Sequence, residues 1–136
     1  MKCLSIRQPW AWLVVVGIKP VENRKWYSAY RGPILIHAGK TFDEEGACWL
    51  IHNKRALNLC SVEDEIEFLD AIEESRKYRG GIVGQADMTN CVQTHPSPFF
   101  FGPNGFVMDN PKQVEFIPMP GKLGIFNVPD LALRFK

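Results

Sequence analysis

The sequence predicts an α+β fold: a small mixed and antiparallel β-barrel with helices at its ends. Three observations lead there. Short apolar runs such as KCLSI, ILIHAGK and GGIVGQADMTNCV recur along the chain, each bounded by Gly, Pro or polar residues. Helical periodicity with clear start signals is concentrated between residues 41 and 79. At 136 residues the chain fits one domain with a real core, so residues 1–136 read as a single unit with a helical insertion at about 41–79.

KCLSI is the first strand, with Cys3, Leu4 and Ile6 apolar. RQPWAWLVVVG is a short helix: Pro9 suits the first turn, where its absent N–H costs nothing, and Gly17 suits the left-handed residue past the end. Val14–Val16 are weak helix formers, so burial must support this element. Trp10 and Trp12 lie on different sides of it and read as core residues, with a stacking platform as the alternative for one of them. VENRKW is a strand whose alternation places Glu22 and Arg24 on one face and Asn23 and Lys25 on the other. After the RGP turn, ILIHAGK is apolar on both faces and therefore central.

Thr41 with Glu44 has the capping-box spacing for a helix over TFDEEGACWLIHNKRAL, and Ser61 with Asp64 caps a second over SVEDEIEFLDAIEESRKY. In that second helix Val62, Ile66, Leu69 and Ile72 predict the buried stripe, and Glu73 with Lys77 an ion pair. Its acidic face reads as solvated, and both helices as packing elements without chemistry. GGIVGQADMTNCV resumes the sheet, with Gly84 marking a bulge or a close backbone approach. Three consecutive phenylalanines, Phe99–Phe101, need cover, so their Pro- and Gly-rich loop is expected to fold back as a lid or as an edge of the core. The tail supplies two strands around PMPGK, with Pro111, Pro118 and Pro120 at strand ends or edges.

The net charge of +1 conceals a strong asymmetry. Residues 1–40 carry seven Lys/Arg against Glu22 alone, while residues 41–80 carry five against ten Asp/Glu. Such segregation predicts one face that attracts anions. Within residues 17–40, Lys19, Arg24, Lys25, Arg31 and Lys40 are interleaved with Trp26, Tyr27, Tyr30 and His37. Cations among aromatics are the composition of a nucleic-acid groove. Lys19, Glu22 and Arg24 form the tightest cluster, and a carboxylate among cations stays ionised. As a functional group it is an acceptor or base; as a structural one it is an ion pair, with Arg7 across from it.

Other chemistries find little footing. Cys3, Cys48, Cys60 and Cys91 show no C-x-x-C spacing, and no signal-peptide pattern opens the chain, which points to a reduced, cytoplasmic setting. No apolar run nears the ~20 residues of a membrane span. His37, His52 and His95 are scattered, and Cys48 with His52 is one pair short of a metal site, so no metal and no cofactor are expected. Neither a P-loop nor a G-x-S-x-G elbow is present.

The run Gly17-Ile18-Lys19-Pro20-Val21-Glu22-Asn23-Arg24 resembles the G-x-K-x-x-E-x-R signature of the ASCH domain family. LSIRQPWAWLVVVG, YRGPILIHAGK, GGIVGQADMTNCV and the tail from FGPNGFVMDN onward also look like that family, so the likeness covers nearly the whole chain. It implies a PUA-like β-barrel whose signature residues line a cleft beside the first helix, and binding of RNA or another nucleic acid. On that likeness Lys19, Glu22 and Arg24 face the ligand, with Arg7, Tyr30, Arg31, His37 and Lys40 nearby. The implied partner is RNA, a nucleotide or a modified nucleoside, and no membrane. One branch of ASCH-like proteins deacetylates N4-acetylcytidine with the signature Lys and a Thr three positions on. Here Glu22 stands in place of that Thr. The alternative to a binding module is therefore an amidohydrolase or a ribonuclease with Lys19 and Glu22 as its catalytic pair. A third reading, a protein-interaction domain, rests on the acidic helix or the Phe-rich loop.

Overall fold

In the computed structural model, which describes residues 1–136, six strands form one sheet in the order β2-β5-β4-β3-β1-β6. The elements along the chain are β1 (Lys2–Gln8), α1 (Trp10–Val15), β2 (Val21–Arg24), β3 (Gly32–Phe42), α2 (Glu44–His52), α3 (Val62–Ser75), β4 (Gly81–Val92), β5 (Asn104–Pro118) and β6 (Ile125–Asn127). Only β1 and β3 run parallel; every other pairing is antiparallel. The fold is α+β, but the expected barrel is not closed. Closure would require the edge strands β2 and β6 to pair, and they do not: β2 pairs only with β5, and β6 only with β1.

β3 has neighbours on both sides, and Ile34–Ala38 are buried without interruption, as its double-faced apolar pattern demands. Five of the six residues of α1 are buried. At ~1.5–3 kcal/mol for each large apolar side chain buried, Trp12, Leu13, Val14 and Val15 more than offset the weak helix propensity of the valines. The helix begins at Pro9 as its cap residue, and the buried Gln8 accepts a hydrogen bond from the Trp12 N–H at 2.8 Å. It seats directly on the sheet because Gly84 has no side chain: a Cβ there would lie 2.5 Å from Val15 Cγ2 and 2.6 Å from the Lys112 carbonyl oxygen.

The helical stretch departs from expectation in its details. β3 continues through Thr41 to Phe42, so the cap of α2 is Asp43 and not Thr41. The Asp43 carboxylate accepts from the Gly46 N–H at 2.9 Å and from Trp10 Nε1–H at 2.9 Å. α2 ends at His52, with turns in place of helix beyond Asn53. Ser61 does cap α3. The buried stripe of α3 is Phe68, Ala71, Ile72 and Ser75, leaving Val62 and Ile66 exposed. Phe68, the largest apolar side chain in the helix, turns the buried face about one residue from the expected stripe. Lys77 pairs with Glu74 at 2.9 Å, and Glu73 with Arg76.

In the tail, Pro111 lies inside β5, next to Asn110 at φ +49°. The pairing slips there from Asp87↔Asp109 to Gln85↔Lys112, so β5 carries one extra residue, and a bulge accommodates the proline. No helix is long and apolar enough to cross a membrane.

Candidate functional site

Each signature residue has a local structural cause. Gly17, at φ +83°, is the left-handed residue that ends α1. Its N–H donates to the Val14 carbonyl at 3.1 Å, and the Ile18 N–H donates to the Leu13 carbonyl at 3.0 Å, the two bonds of a Schellman motif. A third bond, from the Lys19 N–H to the same Leu13 carbonyl, fixes the backbone that carries the lysine. Pro20 then leads into β2, which pairs with β5 in the register Glu22↔Phe106.

The result is a charged triad. Lys19 Nζ donates to Glu22 Oε1 at 2.5 Å, and Arg24 Nε donates to Glu22 Oε2 at 3.1 Å. The Lys19 side chain is 2% exposed and that of Glu22 9%. Lys19 also lies 5.6 Å from the centre of the Trp10 ring. Burial pushes the Glu22 pKa up, but the charges and hydrogen bonds of Lys19 and Arg24 together outweigh it and hold the carboxyl below its ordinary value. The three groups are thus packed against one another, and both Glu22 oxygens are engaged. Arg24 also donates through Nη2 to the Ser5 carbonyl at 2.9 Å, while its Nη1 has no partner within the chain.

The triad still forms part of the wall of a cleft of about 560 Å³. Arg7, Lys19, Arg24 and Lys25 line it with Glu22 and Asp43, and Trp10, Trp26 and Phe101 supply its aromatic surface. Four cations therefore meet two carboxylates, both already paired: Glu22 within the triad, and Asp43 with Trp10, the Gly46 N–H and, at 3.7 Å, Arg7. Trp26 is partly exposed, with its ring edge-on to Phe106. Phe101 is half exposed and packs edge-on against Trp49 of α2.

The remaining candidate residues are distributed around the molecule. Arg7 is in this cleft. His37 and Lys40 line a second one, which shares Ser5 and Arg24 with the first. His37 is buried: Nε2 donates to the Met119 carbonyl at 2.6 Å, and Ser5 Oγ lies 2.8 Å from Nδ1. Tyr30 and Arg31 line neither cleft. Tyr30 donates to the Pro33 carbonyl, and Arg31 to the carbonyls of Ser28 and Tyr30. Cys48 and His52 face each other at 3.5 Å on an exposed helix surface, and no group of three or more His, Cys, Asp or Glu side chains is placed to hold a metal ion.

Sequence reasoning missed Asp43 and Phe101, which line the first cleft, and Lys122, which lines the second. Asp43 belongs to the helical stretch that had been assigned no chemistry, and its signal was its place just before Glu44 and Glu45. Phe101 differs from its buried neighbour Phe99 only in the side of the loop it occupies, which no periodicity reveals.

A mixed sheet with a helix ending in the signature turn, and a charged triad beside it, defines a class that comparison with known proteins names. Residues 4–100 match the ASCH domain family, and the chain belongs to it. Over 36 residues it is 58% identical to activating signal cointegrator 1 of Homo sapiens, a stretch that is 26% of this chain and 6% of that protein. The Mus musculus protein of the same name matches with the same identity and coverage. β5 and β6 lie beyond the residues matched to the family.

Proposed function

We propose that this chain is an RNA-binding module that holds a nucleotide, a modified nucleobase included, in the cleft beside α1. The carrying observation is the make-up of that cleft: about 560 Å³, four cations against two carboxylates, and three aromatic rings. Its volume falls in the ~300–1,000 Å³ range of small-molecule sites. Phosphate oxygens meet Arg7, Arg24 and Lys25, and a base stacks on an exposed ring such as Trp26. Glu22 retains lone pairs that can accept from a base edge, because each carboxylate oxygen has two. Membership of the ASCH family supports the same reading.

Binding is favoured over hydrolysis for a reason of charge. A carboxylate held below its ordinary pKa by two cations is a weak base, and the hydroxyl of the deacetylating branch is replaced by that carboxylate. The test is fluorescence anisotropy with a labelled single-stranded oligouridylate over a salt series. Affinity should fall with a slope near −0.7 in log–log form for each phosphate contact. Absence of binding at ~0.05 M salt ends the reading. Turnover of N4-acetylcytidine that disappears in Lys19→Ala would move the chain to the hydrolases.

A further inference from the structure

Beside the first cleft lies a second of about 510 Å³, formed by β3, the Gly80 turn and the loop Met119–Gly124. Its charged lining is Arg24, Lys40 and Lys122, with no Asp or Glu. Lys40 and Lys122 are exposed and take part in no ion pair. The backbone N–H groups of Gly121–Gly124 donate to no group of the chain. The loop is held against the sheet at a defined height: His37 Nε2 donates to the Met119 carbonyl, the Met119 N–H to the Gly80 carbonyl, and a Cβ at Gly121 would lie 2.8 Å from both His37 Cε1 and Ser5 Oγ. The anchoring reaches Gly121, the residue just before Lys122.

The two clefts share Ser5 and Arg24. Arg24 is anchored on one side by Glu22 and the Ser5 carbonyl, and keeps Nη1 free at the seam. Together the clefts present six cations and two paired carboxylates, on a chain whose net charge is only +1. We infer that the second cleft receives the backbone phosphate of the neighbouring nucleotide, through Lys40 and Lys122, with Arg24 bridging the two sites. The ligand is then a single strand lying across both clefts and not a free nucleoside. This rests on the first cleft being the nucleotide site.

The test compares wild type, the double variant Lys40→Gln/Lys122→Gln and Trp26→Ala, each titrated with uridine 5′-monophosphate and with a labelled oligouridylate. Both lysines are exposed, so their loss leaves the fold intact. Removing both lysines from that one phosphate should make the salt slope shallower by ~0.7, equivalent to about 5-fold weaker oligonucleotide binding at ~0.1 M salt. Mononucleotide binding should be unchanged in the lysine variant and weakened in Trp26→Ala. Unchanged oligonucleotide binding in the lysine variant, with loss in Trp26→Ala, overturns the second site and leaves the first. Loss in the lysine variant alone overturns the first and leaves the second as an anion site. Equal losses of both ligands in the lysine variant, or no binding by wild type, overturn the two-site strand.

Discussion

Replacing Glu22 by Gln removes the one negative charge between two cations while keeping the shape of the side chain. At an effective dielectric of about 20, the 2.5 Å contact with Lys19 is worth ~7 kcal/mol of gross attraction and the 3.0 Å contact with Arg24 ~6. Desolvation of Lys19 and Glu22 consumes several kcal/mol for each ion, so the intact triad is close to balance. The variant, however, leaves a buried ammonium without its counter-charge, and that asymmetry costs about 3–5 kcal/mol. Glu22→Gln should therefore unfold at markedly lower urea. Lys19→Met/Glu22→Gln, which removes both charges, should recover ~2 kcal/mol relative to the sum of the single losses. The pH dependence has a definite sign. The folded pKa of Glu22 lies below its ordinary 4.5, so its contribution is present above that value and is lost as pH falls through the folded pKa. The gap between wild type and Glu22→Gln should accordingly shrink on acidification below pH 4.5. A variant within ~0.5 kcal/mol of wild type, with an additive double-mutant cycle, would refute the argument that the triad is electrostatically coupled.

Asp43→Ala removes the cap of α2 and the partner of Trp10 Nε1–H, and should lower stability by about 1–2 kcal/mol in thermal melts. Gly84→Ala forces a methyl between Val15 and the Lys112 carbonyl, and should cost about 3 kcal/mol, at the upper end of ordinary overpacking because one of the neighbours is backbone; a variant as stable as wild type in urea would show that α1 can move. Trp26→Ala should weaken single-stranded RNA binding by ~1–3 kcal/mol through lost stacking, read by anisotropy, while its melting profile stays cooperative.

Much of the fold was legible because local chemistry and tertiary demand agreed. The double-faced apolar run of β3 had to be central, Gly17 had to end a helix, and Gly84 had to admit a close neighbour. What was not legible depended on partners distant in sequence. Thr41 and Asp43 are both acceptable caps, and Trp10, 33 residues upstream of Asp43, decides between them. Closure of the sheet depended on whether the edge strands β2 and β6 meet, which the pattern of apolar residues leaves undetermined. At the site, alternation correctly joined Glu22 to Arg24, but composition grouped Tyr30, Arg31, His37 and Lys40 with them. The structure separates these four: Tyr30 and Arg31 hold their own turn together, and His37 and Lys40 belong to the adjoining cleft.

Asn23, the residue between the two charged members of the signature strand, points the other way and grips the Phe-rich segment. Its Nδ2 donates to the Phe99 carbonyl at 3.0 Å, and its Oδ1 accepts from the N–H groups of Phe101 and Gly102 at 2.8 and 3.1 Å. One short strand thus carries the ionic floor on one side and the clamp for an aromatic rim on the other. Those three hydrogen bonds make the segment a fixed jamb and not a swinging door, so on the proposed reading a guest would meet an aperture whose width is set at folding. Under that proposal, discrimination among bases would fall to size and stacking geometry at the threshold.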